Sequence, residues 1–155
     1  MANVNTDIVT NFVATPSVKN DSQQLHGVKR IAQGTIALAA GDLSASDTVM
    51  LAPVPTNASI SSIKLFNDDL DSGTTMTTDV GLYTTAIAAV DDDAYASAIT
   101  DLRGAVTTGT EVAFEARDIN KCGQKVWEDA GQSSDPGGYY YCLLYTSDAA
   151  DEQLS

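Results

Sequence analysis

Short segments with the apolar and polar alternation of a β-strand recur through the middle of the chain. They lie at a spacing of about ten residues, and turn-forming Gly, Pro, Asp and Ser residues separate them. The clearest segments read DTVMLAPVP, ASISSIKLF, TDVGLYTTAI, TEVAFEAR and YYYCLLYT. Several short strands at this spacing are typical of all-β domains built from two packed sheets. The sequence therefore predicts a mainly β fold, an antiparallel β-sandwich of jelly-roll-like form.

The alternating apolar side chains of these segments are expected to form one core. The predicted core residues are Ile36, Leu38, Val49, Leu51, Ile60, Ile63, Leu65, Val80, Leu82, Val112 and Phe114. An additional strand is predicted in GVKRIAQGTIAL, with a kink at Gly34. A chain of 155 residues is long enough to bury such a core in one domain. We assign residues 28–141 to this domain.

One segment departs from the strand pattern. In DDDAYASAITDLRGA the apolar residues recur at the spacing of one helix face. Three aspartates precede them, where negative charge favours a helix N-terminus, and Gly104 suits a helix end. The pattern predicts a helix near residues 93–103. A second, shorter helix is predicted in INKCGQKVWEDAG.

The first 27 residues are polar, with a few scattered apolar side chains and an interrupting Pro16. They predict an extended N-terminal arm. Ordering such an arm costs about 1–2 kcal/mol per residue, so it is expected to become ordered against a partner. Extended arms bind by adding a strand to a sheet edge. The predicted partner contacts in the arm are Ile8, Phe12 and Val13.

The charge of the chain restricts its partners. A formal net charge of −13 argues against nucleic acid, whose phosphates require Lys and Arg, and against anionic membrane surfaces. The segment from Leu65 to Leu102 holds eight aspartates and no Lys or Arg. Such a face is either simply solvated or meets a basic partner. Asp91, Asp92 and Asp93 are the partner-binding candidates within it.

The aspartate-rich stretch FNDDLDSGTTMTTDVGLY raises the question of a calcium site. Asp69 and Asp71 are the candidate ligands. A loop that starts at Asn67 or at Asp69 does not have the spacing of an EF-hand, which needs Gly at its sixth position and Glu at its twelfth. Asp-Ser-Gly is also turn chemistry, since Asp and Ser bond to backbone amides and Gly accepts a positive φ. We therefore predict a turn without a bound metal, with a calcium site in a β-sandwich loop as the alternative.

Catalytic signatures are missing from the sequence. His26 is the only histidine and lies in the N-terminal arm, and no Walker, CxxC or HExxH pattern occurs. One Trp offers little for the aromatic platforms of sugar-cleaving enzymes. We expect no enzyme, no catalytic residues and no cofactor.

Three segments resemble a family of small structural proteins of tailed bacteriophages, many of them from marine and other environmental sources. They are IKLFNDDLDSGTTMTTDVGLY, DDDAYASAITDLRGA and EVAFEARDINKCGQKVWEDAG. The resemblance implies a virion protein of the capsid surface, made in the host bacterial cytoplasm, such as a decoration protein or a head fibre. Its implied partners are the major capsid protein and further copies of itself, for example in a trimer. The resemblance implies no active-site residues.

The segment CLLYTSDAADE, residues 142–152, resembles the translation of a transposase-type sequencing adapter in one reading frame. We therefore expect residues 142–155 to be a non-native tail that adds no native packing, with the natural sequence interrupted after Tyr141. The stretch YYYCLLYT nevertheless has the composition of a strand, whatever its origin.

The leading hypothesis from the sequence is a structural virion protein that decorates or stabilises the capsid exterior. The alternative, from another functional class, is a carbohydrate-binding or adhesin-like module that presents the acidic loops to a host surface. A cell-wall hydrolase is the weakest hypothesis, because the site constellations that catalysis needs are missing.

Overall fold

The computed structural model describes residues 5–20, 22, 27–38, 47–71 and 75–147. The chain divides into two units, residues 1–32 and residues 33–155. No helix in the described part of the chain is long and apolar enough to cross a membrane.

The second unit is built from antiparallel β-strands. In the described residues they are β1 (Thr48–Pro55), β2 (Lys64–Asn67), β3 (Thr77–Tyr83), β4 (Ala89–Ile99), β5 (Val106–Glu111) and β6 (Tyr139–Ser147). One sheet has the order β1-β6-β3-β4, and β2 pairs with β5 in a separate two-stranded sheet. A 3-10 turn, Ile119–Lys121, and the short helix α2, Val126–Asp129, lie between β5 and β6. The mainly β, antiparallel prediction is confirmed at this level, as is the helical character of INKCGQKVWEDAG.

The core of the second unit agrees with much of the predicted set. Four predicted residues are buried: Val49, Val80, Leu82 and Val112. Five more are half-buried and pack against the buried cluster: Leu38, Leu51, Ile60, Ile63 and Leu65. Phe114 is half-buried. Ile36, however, is 63% exposed, so its assignment to the core is wrong. It lies in residues 27–38, which form no regular strand, and the strand predicted there is wrong as well.

The helix predicted near residues 93–103 is also wrong, because most of that segment is strand β4. The burial pattern matches the predicted helix face only in part: Tyr95, Ile99 and Leu102 are buried. Ala98 of that face is exposed, and Ala96, which was not part of it, is buried. This pattern arises because β4 is irregular. Two residues along β3, from Val80 to Leu82, correspond to five along β4, from Ala96 back to Asp91. Such a bulge ends the alternation between faces, so sequence neighbours enter the core together.

Gly81 of β3 allows this bulge to form. A Cβ atom at Gly81 would lie closer to backbone atoms of Asp91 and Asp92 than real atoms approach. The β4 backbone thus packs directly on the glycine, which is a use of Gly typical of strand interiors next to bulges. Residues 91–93 are the outward part of this irregular region, and we call them the acidic bulge.

Strand β6 crosses the boundary at Tyr141 without a break and lies between β1 and β3. Cys142, Leu143, Leu144 and Thr146 are buried, and burial raises the pKa of the Cys142 thiol to about 12. Residues 142–146 therefore pack in the sheet, while the assignment of residues 142–155 to a non-native tail stays a prediction. A run of Leu, Tyr and Thr fits a pleated, buried strand whatever encoded it. Residues 148–152 of the adapter-like segment lie outside the described residues.

The first unit contains a helix where an extended arm was predicted. Helix α1, Asp7–Val13, begins at Thr6, whose side-chain oxygen accepts a hydrogen bond from the amide of Val9 at 3.5 Å. The Asn20 side chain reaches back to the helix: its Nδ2 donates to the carbonyl of Ile8 at 3.0 Å, and its Oδ1 accepts from Asn11 at 2.9 Å. The Thr cap and the two Asn contacts explain why this polar segment turns back on itself.

Candidate functional site

The acidic bulge brings three carboxylates together at the surface. Oxygen atoms of Asp91, Asp92 and Asp93 all lie within 4.8 Å of one another. Asp91 is half-buried, and the other two are exposed. Partial burial, together with the neighbouring Asp93 carboxylate, raises the pKa of Asp91 above its usual value. The bulge therefore concentrates negative charge, and no ion pair among the described residues involves it.

A cavity of about 370 Å³ opens beside the bulge. Its lining comes from β4 on one side and from the segment between β5 and β6 on the other. The lining residues are Asp91, Asp93, Ala94, Ala116, Arg117, Asp118, Lys121 and Asp129. Four of these are carboxylates, against one Arg and one Lys. The cavity is thus an acidic recess rather than an apolar pocket.

A buried ion pair lies at the inner side of this cavity. Arg117 Nε is 3.0 Å from Asp129 Oδ1, and both side chains are only 2% exposed. Tyr95, which is fully buried, donates its hydroxyl to Asp129 Oδ2 at 3.2 Å. Burial raises the pKa of Asp129 above its usual value even though the Arg117 guanidinium opposes that rise. Burial and the Asp129 charge likewise raise the pKa of Tyr95.

Arg117 also fixes the backbone around it. Its guanidinium donates to the carbonyls of Ile60 at 2.9 Å and Lys121 at 2.6 Å. The same group lies over two aromatic rings, 5.1 Å from the centre of Phe114 and 5.7 Å from that of Tyr95. A planar, permanently charged group suits this combination of carbonyls, carboxylate and rings. The pair consequently has a structural role: it holds in place the segment between β5 and β6 that lines the cavity opposite β4.

The arrangement as a whole is suited to binding. The Arg117–Asp129 pair is buried and its opposite charges lie in contact, although Arg117 Nε and Asp129 Oδ1 meet without hydrogen-bond geometry. The carboxylates of the acidic bulge instead face the recess and the solvent. Carboxylate oxygens are ligands for hard cations and acceptors for ammonium or guanidinium groups. The recess therefore favours a positively charged group.

The candidate calcium ligands lie in a different loop. Asp69 Oδ1 accepts from the amide of Asp71 at 3.3 Å, and Asp71 Oδ2 accepts from the amide of Met76 at 3.0 Å. These contacts are the bonds that Asp makes in turns. Arg103 adds to them, because its carbonyl accepts from the amides of Leu70 and Asp71. Residues 72–74 of the loop lie outside the described residues.

The partner candidates of the N-terminal segment lie on α1. Phe12 is 78% exposed and Val13 is 60% exposed. Ile8 is half-buried, and its carbonyl accepts from Asn20. These residues belong to the first unit, and the acidic bulge belongs to the second. His26 lies outside the described residues.

Sequence reasoning did not single out Arg117, Asp129 or Tyr95. Arg117 and Asp129 are twelve positions apart and belong to no spacing motif, and Tyr95 was read only as part of a helix face. The one available signal was that charged residues follow the short apolar stretches VAF, residues 112–114, and VW, residues 126–127.

Comparisons of the chain with protein-family models, with curated proteins and with solved structures give no match.

Proposed function

We propose that this protein is a non-catalytic structural component of a bacteriophage virion that decorates or stabilises the capsid exterior. The proposal starts from the resemblance of three segments to structural proteins of tailed phages. It includes attachment of residues 1–27 to the major capsid protein, location at the capsid surface, and a β-sandwich of jelly-roll-like form. Half-buried Leu65 of β2, which packs with the core residues of the four-stranded sheet, supports a sandwich arrangement.

The observation that carries the proposal is the exposed apolar surface of α1. Val9, Phe12 and Val13 are 42%, 78% and 60% exposed, although they follow one another at helical spacing. Neighbouring apolar side chains left in water on a folded element indicate a surface that a partner covers. Burial of a Phe or Val side chain contributes about 1.5–3 kcal/mol, so two or three of them suffice for a contact that many copies repeat.

The acidic surface fits this role as well. A strong negative charge keeps a protein soluble at the high local concentration of a capsid lattice. The acidic bulge then faces outward or meets basic patches on neighbouring subunits.

Binding to capsid shells tests the proposal. Shells assembled from the major capsid protein of the same phage genome are mixed with wild-type protein or with the variant Phe12→Ser/Val13→Ser, and bound protein is measured after gradient sedimentation. We expect saturable binding of the wild type and at least about a tenfold loss of affinity for the variant, equivalent to about 1.4 kcal/mol.

The matched control is Ile119→Ser, since Ile119 is an exposed apolar residue of similar exposure, 75%, in the second unit. It should bind like the wild type. Wild-type protein that does not bind shells, or that is missing from the protein inventory of purified virions, refutes the virion role. Equal binding of the Phe12 and Val13 variant refutes attachment through α1 alone.

A carbohydrate-binding or adhesin-like function is the second candidate, and the acidic recess is the observation that favours it. At about 370 Å³ it is of the size that small ligands occupy, and carboxylates readily accept hydrogen bonds from sugar hydroxyls. Its lining has no aromatic side chain among the residues that form it. A glycan array probed with wild-type protein and with Asp93→Asn tests this function, and only binding that the substitution reduces supports it.

A further inference from the structure

Strand β4 forms an edge of the four-stranded sheet. In the sheet order it is the last strand, and it pairs with β3 on its inner side. On the other side, in the described residues, its backbone is held at Tyr95, whose carbonyl accepts from the amide of Ala116 at 2.9 Å. Towards the acidic bulge the strand instead borders the recess. In the described residues the edge is thus paired at Tyr95 and open towards the acidic bulge.

A segment of complementary chemistry is present in the same chain. Residues 27–32, GVKRIA, are fully described, are exposed and form no helix or strand. Val28 is 87% exposed and Ile31 is 83% exposed. Between them stand Lys29 and Arg30, the only two adjacent basic residues of the sequence. In the described part of the chain neither base forms an ion pair.

We propose that residues 27–32 of one copy dock along the open edge of β4 in a second copy, with Lys29 and Arg30 against the acidic bulge. An extended segment of six residues spans about 20 Å, enough to follow the edge from its start to the point where Ala116 covers it. Main-chain bonds to a sheet edge supply affinity, and the charges set the register.

Charge complementarity supports a second copy of the chain as the partner. Two chains of net charge −13 repel each other unless their contact brings opposite charges together. The paired bases and the three clustered carboxylates provide such a contact. Val28 and Ile31 flank the two bases, and the same contact buries their exposed side chains. The contact does not depend on a virion role, because it needs only copies of this chain.

Charge reversal and its rescue test the contact. Sedimentation velocity of the full chain over a concentration series is compared for the wild type, for Lys29→Glu/Arg30→Glu, for Asp92→Lys/Asp93→Lys, and for the protein with all four substitutions. We expect the wild type to self-associate, and each double variant to weaken this at least about tenfold. The fourfold variant should recover association to within about threefold, and salt should weaken the wild-type contact.

The matched control for the acidic side is Asp68→Lys/Asp101→Lys, which changes the net charge equally at two exposed positions outside the bulge and should not weaken association. Far-ultraviolet circular dichroism establishes that each variant folds. A wild type that stays monomeric, double variants that associate normally, or a fourfold variant that does not recover would each overturn the proposal.

Disulfide trapping gives an independent result if a charge variant does not fold. A tagged chain with Arg30→Cys is mixed under oxidising conditions with an untagged chain carrying Asp92→Cys. Both contain Cys122→Ser, because Cys122 is an exposed free thiol. A mixed disulfide between the two chains is expected, and its absence contradicts the docking.

Discussion

Removal of the Arg117 side chain should destabilise the domain more than any surface change. In Arg117→Met, Asp129 stays at 2% side-chain exposure without its counter-charge, and the carbonyls of Ile60 and Lys121 lose their donor. Removal of one partner of a buried ion pair costs about 3–5 kcal/mol. For a domain of this size that corresponds to a fall in Tm of roughly 10–20 °C.

The single tryptophan, Trp127, makes this measurable. It lies in α2 two residues before Asp129, and its amide donates to the carbonyl of Thr56 at 3.0 Å, so its fluorescence reports on the affected region. Urea unfolding of the wild type, of Arg117→Met, of Asp129→Asn and of the double variant forms a double-mutant cycle. We expect a coupling free energy of about 1–3 kcal/mol, since loss of Arg117 costs less once Asp129 is neutral. Additivity within about 0.5 kcal/mol would refute the reasoning.

The pH dependence of the Arg117→Met variant supplies a second check. Because the folded-state pKa of Asp129 lies above its usual value, this carboxyl favours folding most when it is protonated, and that contribution is lost as pH rises through the folded-state pKa. Without Arg117 the pKa rises further. The difference in unfolding free energy between variant and wild type should therefore narrow as pH falls towards the folded-state pKa of Asp129 in the variant. A difference that does not change with pH contradicts the assignment.

Three further predictions concern the sheets. Gly81→Ala should lower the free energy of unfolding by about 1–3 kcal/mol in urea, because the new Cβ collides with the β4 backbone. Gly104→Ala is the control: its Cβ meets nothing within 4 Å, so it should change stability by less than about 0.5 kcal/mol. Equal effects of the two substitutions would contradict the role of Gly81 in the bulge. Hydrogen bonds from Ser62 and from backbone amides lower the pKa of Glu111, although partial burial opposes this shift. The Glu111 carboxylate therefore contributes stability above its unfolded-state pKa, and this contribution is lost as pH falls through the folded-state pKa. The acid-induced loss of stability should be shallower in Glu111→Gln than in the wild type, and identical titrations would contradict this. A chain ending at Tyr141 should fail to fold cooperatively, because β6 supplies the strand between β1 and β3; a native-like thermal transition of that truncation would show that the second half of β6 is dispensable.

The sequence by itself determined the strands whose alternation is regular. The segments around β1, β3 and β6 are rich in β-branched, aromatic and Leu residues and are bounded by turn residues, so local composition and pattern were sufficient. Val49, Val80 and Leu82 were accordingly identified as core residues. The concentration of aspartates at residues 91–93 was also visible, as were the exposed apolar residues Phe12 and Val13.

Only the tertiary structure decided the conformation of β4 and the pairing of the buried charged residues. Residues 93–99 have a helical spacing of apolar side chains, yet they belong to strand β4. Gly81 allows the neighbouring β4 backbone to bulge, and the bulge brings Tyr95 and Ala96 into the core together. That outcome depends on a contact between two strands, which no window of sequence contains. The Arg117–Asp129 pair likewise joins the segment after β5 to helix α2. Local periodicity specifies an element only when its neighbours are regular, and at this edge of the sheet the packing of one strand on another overrides it.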